Sequence, residues 1–417
     1  MLKPLVVLVA IFAIQTASFS SHFEIPPATE FQLLTANDAQ LGGFGESVAI
    51  DGRTAIIAAP YVNGGSAYIF RVQPNGSWTQ LAKIHPNDIA QGDFFGSSVS
   101  ISGQTTLIGS RLDDVNGTND TGSAYVFREN ESGEWLEIAK LIANDGATGD
   151  GFGRSVAVGH RIALVGAPFA DSLGLSSGSV YVFEENSFGH WEQTTKLTPN
   201  DLSTRDNLGY SVALSGQTAL VGARGDNLRG AAYVFRQNGS GNWAQIAKLT
   251  ADDSETFDEF GTSVALDGDL ALVGATSSNL GAAYLFEENE LGDWEQIAKI
   301  ENPPGGGAFF GYSVALYEGL ALVGTYNMLP SNFEKGSAHF FEADETGNWV
   351  HIGAFESRAL PGEQHVGASV ALARNTALIG YSVYVHHTVP EPASLWLAIA
   401  FTCFSGWKSS PGLFRSR

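Results

Sequence analysis

Short apolar runs alternate with polar turns along most of the chain, and the alternation has a long period. Residues 260–300 read FGTSVALDGDLALVGATSSNLGAAYLFEENELGDWEQIAKI, and 209–249 repeat the line as GYSVALSGQTALVGARGDNLRGAAYVFRQNGSGNWAQIAKL. Each copy holds four runs rich in β-branched and aromatic residues: one after Phe-Gly-x-Ser, one ending in Gly-Ala, one of the type AAYVF, and one opened by Trp. Runs of this length and composition, separated by Asp-Gly or Ser-Gly steps that suit tight hairpins, predict four antiparallel strands (A to D) per unit.

The unit recurs seven times, with the glycine of its Phe-Gly pair at Gly45, Gly96, Gly153, Gly209, Gly261, Gly311 and Gly367. Successive spacings run from 50 to 57 residues. A period near 50 with four strands marks units that bury their faces only by stacking on copies of themselves. Six tryptophan-led fourth strands follow, at Trp78, Trp135, Trp191, Trp243, Trp294 and Trp349, against seven of each other strand. The missing one stands ahead of the first unit, as Glu30 to Asp38, EFQLLTAND. An offset of this kind ties a ring and hides sheet edges. The expected fold is all-β: a seven-bladed β-propeller of four-stranded antiparallel blades, its last blade completed by the N-terminal strand.

On these units, over roughly residues 30–387, the chain resembles the FG-GAP repeat proteins, the propeller type of integrin α-subunit heads and of many secreted bacterial proteins. In integrin-type repeats a calcium loop rich in aspartate lies between strands A and B. Here that link is only a short step such as Asp51-Gly52 or Ser102-Gly103, so that metal site carries over to no residue of this sequence.

Composition narrows the partners. The 417 residues carry 44 acidic against 22 basic side chains, a net charge of −22. That balance argues against nucleic acid and anionic membrane as partners, because phosphate contacts need clustered Lys and Arg. Cys403 is the single cysteine, so no intrachain disulfide forms.

Both termini read as addresses. Residues 1–20 have Lys3, an apolar run from Leu5 to Ile14 and then small residues, the layout of a secretory signal with cleavage expected after Ser18 or Ser20. Residues 21–29 form a short linker and 30–388 the propeller. Residues 389–417 open with Val389-Pro390-Glu391-Pro392, continue with an apolar stretch to Trp407 and end on Lys408, Arg415 and Arg417. This segment resembles the PEP-CTERM sorting tail. The resemblance implies an exosortase-type processing enzyme as partner, membrane contact through the tail, and export to the surface or matrix of a Gram-negative-type bacterium. The apolar run is short and interrupted by Thr402, Ser405 and Gly406, and the basic end is sparse for that family.

The B–C loops are where the copies differ, so the face carrying the B–C and D–A loops is the expected binding face. Asp113, Asp114, Asp171, Arg224 and Asp226 are its candidate binding residues. Four aspartate pairs five residues apart, Asp88/Asp93, Asp145/Asp150, Asp201/Asp206 and Asp253/Asp258, precede strand A. They suit either a cation such as Ca²⁺, which wants several oxygens, or turns whose backbone N–H groups the carboxylates accept. Lys83, Lys140, Lys196, Lys248 and Lys299, each five after a blade tryptophan, read as guards on the outermost strand, and the tryptophans as packing between blades. Arg224-Gly225-Asp226 matches a tripeptide that some integrins bind, and Gly174 to Gly178 matches G-x-S-x-G. That elbow needs a following helix, where a strand is expected here.

The expected function is an exported, non-enzymatic propeller that binds a protein or polysaccharide at the cell surface or matrix. The alternatives are a secreted polysaccharide- or lipid-cleaving enzyme using loop carboxylates, and a structural matrix component with no discrete ligand.

Overall fold

The structure, a computed structural model, describes residues 32–38, 42–276, 281–326, 336–356, 365–374, 376–380 and 383–387. The expected signal segment and the sorting motif Val389 to Pro392 lie outside them. The described chain is an all-β propeller of four-stranded antiparallel blades. Six sheets each consist of four consecutive strands. In the second, Phe95–Ser102, Thr105–Ser110, Ser123–Glu129 and Trp135–Leu141 follow in order from the axis outward. Strands Val370–Ala373, Thr376–Ile379 and Tyr384–His387 make a further sheet with Gln32–Leu33, in which Gln32 lies opposite Val385 and Leu33 opposite Tyr384.

The repeated words of the sequence are the joints between sheets. The phenylalanine of the Phe-Gly pair is buried against two aromatic rings of strand C, a tyrosine and a phenylalanine in the first, second, third and fifth units and His339 with Phe341 in the sixth. Phe95 sits 5.5 Å from Tyr125 and 6.1 Å from Phe127, ring centre to ring centre, and Phe152 makes the same pair of contacts with Tyr181 and Phe183. Such edge contacts add about 0.5–1.5 kcal/mol each beyond the area they bury. The glycine that follows has a left-handed φ in all seven copies, from 83° to 95°, a backbone that a Cβ would disfavour. The serine then donates from Oγ to the next sheet's Phe-Gly carbonyl: Ser98 to Gly153 at 2.9 Å, Ser155 to Gly209 at 2.8 Å, Ser263 to Gly311 at 2.7 Å.

That carbonyl comes so close that strand B carries glycine opposite it in six of the seven units, the first having Ala58. A Cβ on Gly166 would stand 2.1 Å from the Gly209 oxygen, and one on Gly222 the same distance from that of Gly261. The tryptophans pack between sheets as expected: Trp191 lies on a cluster joining Leu107, Val126 and Leu141 of one sheet to Phe152, Tyr181 and Phe183 of the next.

Candidate functional site

At the rim, the aspartate pairs divide their work. The first member of each binds a lysine on the outer strand of the following unit and the tyrosine of its strand C. Asp88 receives Lys140 Nζ at 2.7 Å and the Tyr125 hydroxyl at 3.0 Å; Asp201 receives Lys248 at 2.6 Å and Tyr233 at 3.0 Å; Asp253 receives Lys299 at 2.5 Å and Tyr284 at 3.0 Å. Asp145 receives Lys196 at 2.9 Å. Asp38, which has no partner five residues on, holds Lys83 and Tyr68 in the same way. Burial opposes ionisation of Asp88, Asp145 and Asp201, but the lysine and tyrosine hydrogen bonds outweigh it and hold these carboxyls below the usual range.

The second member closes a turn. Asp93, Asp150, Asp206 and Asp258 each accept the backbone N–H three residues earlier, from Ala90, Ala147, Ser203 and Glu255, at 2.5–2.8 Å. Burial pushes Asp93 and Asp150 up, and Asp206 to about 6. So the turn reading describes the second aspartates and an inter-strand ion pair the first. The lysines, expected as edge guards, are the cations of that pair and also lie over the tyrosine rings, Lys140 5.0 Å from the centre of Tyr125. Among the described residues no group of three or more His, Cys, Asp or Glu is arranged to hold a metal ion.

The five candidate loop residues separate just as clearly. Asp113 and Asp226 are each 3% exposed. Asp113 accepts from Ser123, Tyr125 and Lys140, and Asp226 from Tyr233 at 2.6 Å and Lys248 at 2.5 Å, so both reinforce the rim ion pairs. With its carboxylate buried, Arg224-Gly225-Asp226 does not present itself as an adhesive tripeptide. Asp114 and Asp171 are exposed and accept from the backbone N–H groups of Asp120 and Ser176 within their own loops. Strand Ser179–Glu185 follows Gly174 to Gly178, so that stretch is no nucleophile elbow. Arg224 alone of the five reaches the axis.

There the sheets enclose two adjoining cavities of about 230 and 200 Å³. The inner one is ringed by the Ser and Val of the repeated motif and by the residue between Gly and Ser. That residue varies among the copies, with only tyrosine used twice: Glu46, Ser97, Arg154, Tyr210, Thr262, Tyr312 and Ala368. A bulge explains its position. Phe95 pairs with Ser110 and Ser98 with Gly109, so Gly96 and Ser97 are extruded, and the same shift occurs between Leu208 and Ser211.

The outer cavity opens among the B–C and D–A loops and is lined by Glu46, Tyr61, Phe94, Arg111, Arg154, Phe169, Tyr210 and Arg224, with Pro60 and Ser97. Arg154 donates to the Tyr210 hydroxyl at 2.9 Å, and its guanidinium lies 4.7 Å from that ring's centre; Arg224 lies 4.0 Å from the same ring. Arg111 stacks on Phe94 at 4.9 Å. Burial, and then the charge of Arg154, push the Arg111 pKa down. Phe94 holds a left-handed φ of 56°, where the matching residue of the next unit is Gly151; a bulky side chain there costs on the order of 1 kcal/mol. The Glu46 Oε2 is buried with no hydrogen-bond partner among the described residues.

Sequence reasoning missed this ring. Its signal was the most variable position inside an otherwise nearly constant motif.

Comparison with known proteins agrees with the geometry. A family described as "FG-GAP repeat" matches residues 28–70, 78–127, 135–183, 191–235 and 243–286, together more than half of the chain. Four of the five segments start on a blade tryptophan, and the first starts just before Glu30 to Asp38. No curated protein matches. Among solved structures, the crystal structure of a protein from Lactobacillus plantarum is 13% identical, with a TM-score of 0.51, and the match covers 74% of this chain and 84% of that one. At that identity the likeness speaks to fold alone.

Proposed function

This chain belongs to the FG-GAP repeat family, and from that premise we propose that it is an exported, non-enzymatic propeller that binds a macromolecular partner, protein or polysaccharide, through the face carrying its B–C and D–A loops. The observation that carries the reading is the axial mouth, where three arginines and several aromatic rings from four units converge on one opening in a chain of net charge −22. The ring is seven blades, closed by the N-terminal strand. Two contacts support closure: the Val48 N–H donates to Ser369 Oγ at 3.0 Å, and a Cβ on Gly380 would stand 2.2 Å from the Gly45 oxygen, repeating the joint found between the other sheets.

The secretory layout of residues 1–20 and the sorting motif at Val389 to Pro392 supply the cell-surface or matrix address. The enzyme alternative asks for two facing carboxylates, and Glu46 is the one carboxylate among the described residues lining the two cavities. Passing surface polysaccharide and envelope proteins over the immobilised propeller tests the proposal. Retention that is lost when the mouth is altered is the expected outcome. Turnover of a substrate with no retention contradicts it.

A further inference from the structure

We propose that the axial mouth recognises a carboxylated sugar, the uronic acid at the end of an acidic glycan chain, with Arg111 and Arg154 taking the carboxylate and Glu46 a ring hydroxyl. The inference rests on the binding reading above and names the ligand class of that same site.

Charge comes first. Among the described residues Arg111 and Arg154 have no carboxylate within ion-pair distance, while Arg224 has Glu259 at 3.9 Å. Three other arginines are fully engaged. Arg71, Arg128 and Arg236 are locked two-pronged onto Glu129, Glu185 and Glu288 of neighbouring units. In a chain with twice as many acids as bases, two guanidiniums that share a cavity with a single carboxylate, Glu46, whose charge acts on both, keep an excess positive charge that draws an anion. Their planar forks fit a carboxylate with two parallel hydrogen bonds.

Shape and hydrogen bonding choose among anions. The Glu46 Oε2, buried and unpartnered, needs a donor from whatever occupies the cavity. Chloride or sulfate offers none, whereas a uronic acid carries several hydroxyls beside its carboxylate. Tyr61 and Phe169 leave 48% and 40% of their surface exposed at the opening, apolar faces suited to the C–H side of a sugar ring. The outer cavity, about 200 Å³, lies below the roughly 300–1,000 Å³ of drug-sized pockets, so it admits one ring-sized group and the remainder of the chain runs out over the loops. Phe94 fits the same picture: an aromatic kept in a left-handed backbone holds Arg111 in place.

Calorimetric titration of the full chain with tri-galacturonate, maltotriose and triglycine tests this. The expected result is saturable binding of the triuronate at least tenfold tighter than of either comparator, weakening as salt rises, and reduced tenfold or more by Arg111→Gln and by Arg154→Gln. Should Arg154→Gln fail to fold, Arg111→Gln, whose side chain joins no ion pair, decides alone. No triuronate binding, equal binding of maltotriose, binding untouched by the Arg111 change, or tighter binding of triglycine overturns the inference. If envelope material is still retained in that case, the binding reading survives without it.

Discussion

The rim and the axis of this propeller are built from the same repeat and treat it in opposite ways. At the rim the first five units repeat one arrangement of aspartate, tyrosine and lysine, from Asp38, Tyr68 and Lys83 to Asp253, Tyr284 and Lys299. At the axis the residue between Gly and Ser takes six identities over seven units, only Tyr210 and Tyr312 being alike. A position that holds neighbours together is constrained by those neighbours and is copied. A position extruded by a bulge into a cavity is free of that constraint and carries what is particular to this chain. The sixth unit marks the boundary: His339 replaces the strand C tyrosine, Ala354 stands at the lysine offset and Pro304 at the aspartate offset, so the whole arrangement is exchanged together.

The comparison is broken most forcefully at the joint glycines. Gly166→Ala sets a Cβ 2.1 Å from the Gly209 oxygen of the next sheet, and we expect a loss above about 3 kcal/mol in urea unfolding, the range of severe overpacking. Gly216→Ala, in an A–B turn with nothing within 4 Å of the new atom and a φ of 58°, is expected to cost about 1 kcal/mol. Equal losses would mean that the inter-sheet joint is not what the glycine serves.

Next come the two aspartates on Lys248. Asp226→Asn removes a buried charge and is expected to cost about 2–3 kcal/mol, while Asp201→Asn, half exposed on the same lysine, costs less than about 1 kcal/mol. Unfolding midpoints of the two variants check the order, and a reversed order contradicts the division of the rim into buried and exposed halves.

The sixth unit adds a pH dependence. Burial, and after it His351 at 3.2 Å, hold His339 down at about 4 against an ordinary 6.5. The unfolded chain binds the proton first, so this contribution is intact above pH 6.5 and is lost as pH falls towards 4, by about 2 kcal/mol at pH 4.5. Asp206, raised by burial to about 6, acts with the opposite sign, since its folded form takes the proton first and gains stability as pH falls below 6. His339→Phe therefore flattens the acid loss seen by urea unfolding at pH 7 and 4.5, and an unchanged slope excludes His339 as its source. The smallest effect is expected from EDTA. With the rim aspartates engaged by lysines and backbone N–H groups, chelation should move the melting temperature by less than about 1 °C, and a larger drop would reveal a bound ion.

Much of the frame was legible in the chain because a 50-residue period leaves few architectures, and because Phe-Gly, Gly-Ala and Trp recur in register. The rim pairs were half legible. Asp88 sits five residues after Lys83, yet it binds Lys140, 52 positions away, and spacing within one unit does not say which unit a side chain reaches. The joint replacement by Pro304, His339 and Ala354 was the clue that the three belong together. Asp113 and Asp226 looked like exposed loop acids because a loop's composition does not tell whether it folds back onto the rim. The axial mouth was the least legible part. Its arginines come from three different units and two points in the repeat, Arg111 and Arg224 directly after strand B and Arg154 between Gly and Ser, and only closure of the sheets around an axis assembles them.

The most direct test joins both regions in one experiment: melting temperature and triuronate affinity measured together for Arg111→Gln and Asp226→Asn. The account predicts that the arginine variant loses at least tenfold in affinity with its melting temperature held within about 2 °C, while the aspartate variant melts several degrees lower and still binds. An arginine variant that destabilises without losing affinity, or an aspartate variant that loses affinity without destabilising, contradicts the assignment of structure to the rim and binding to the axis.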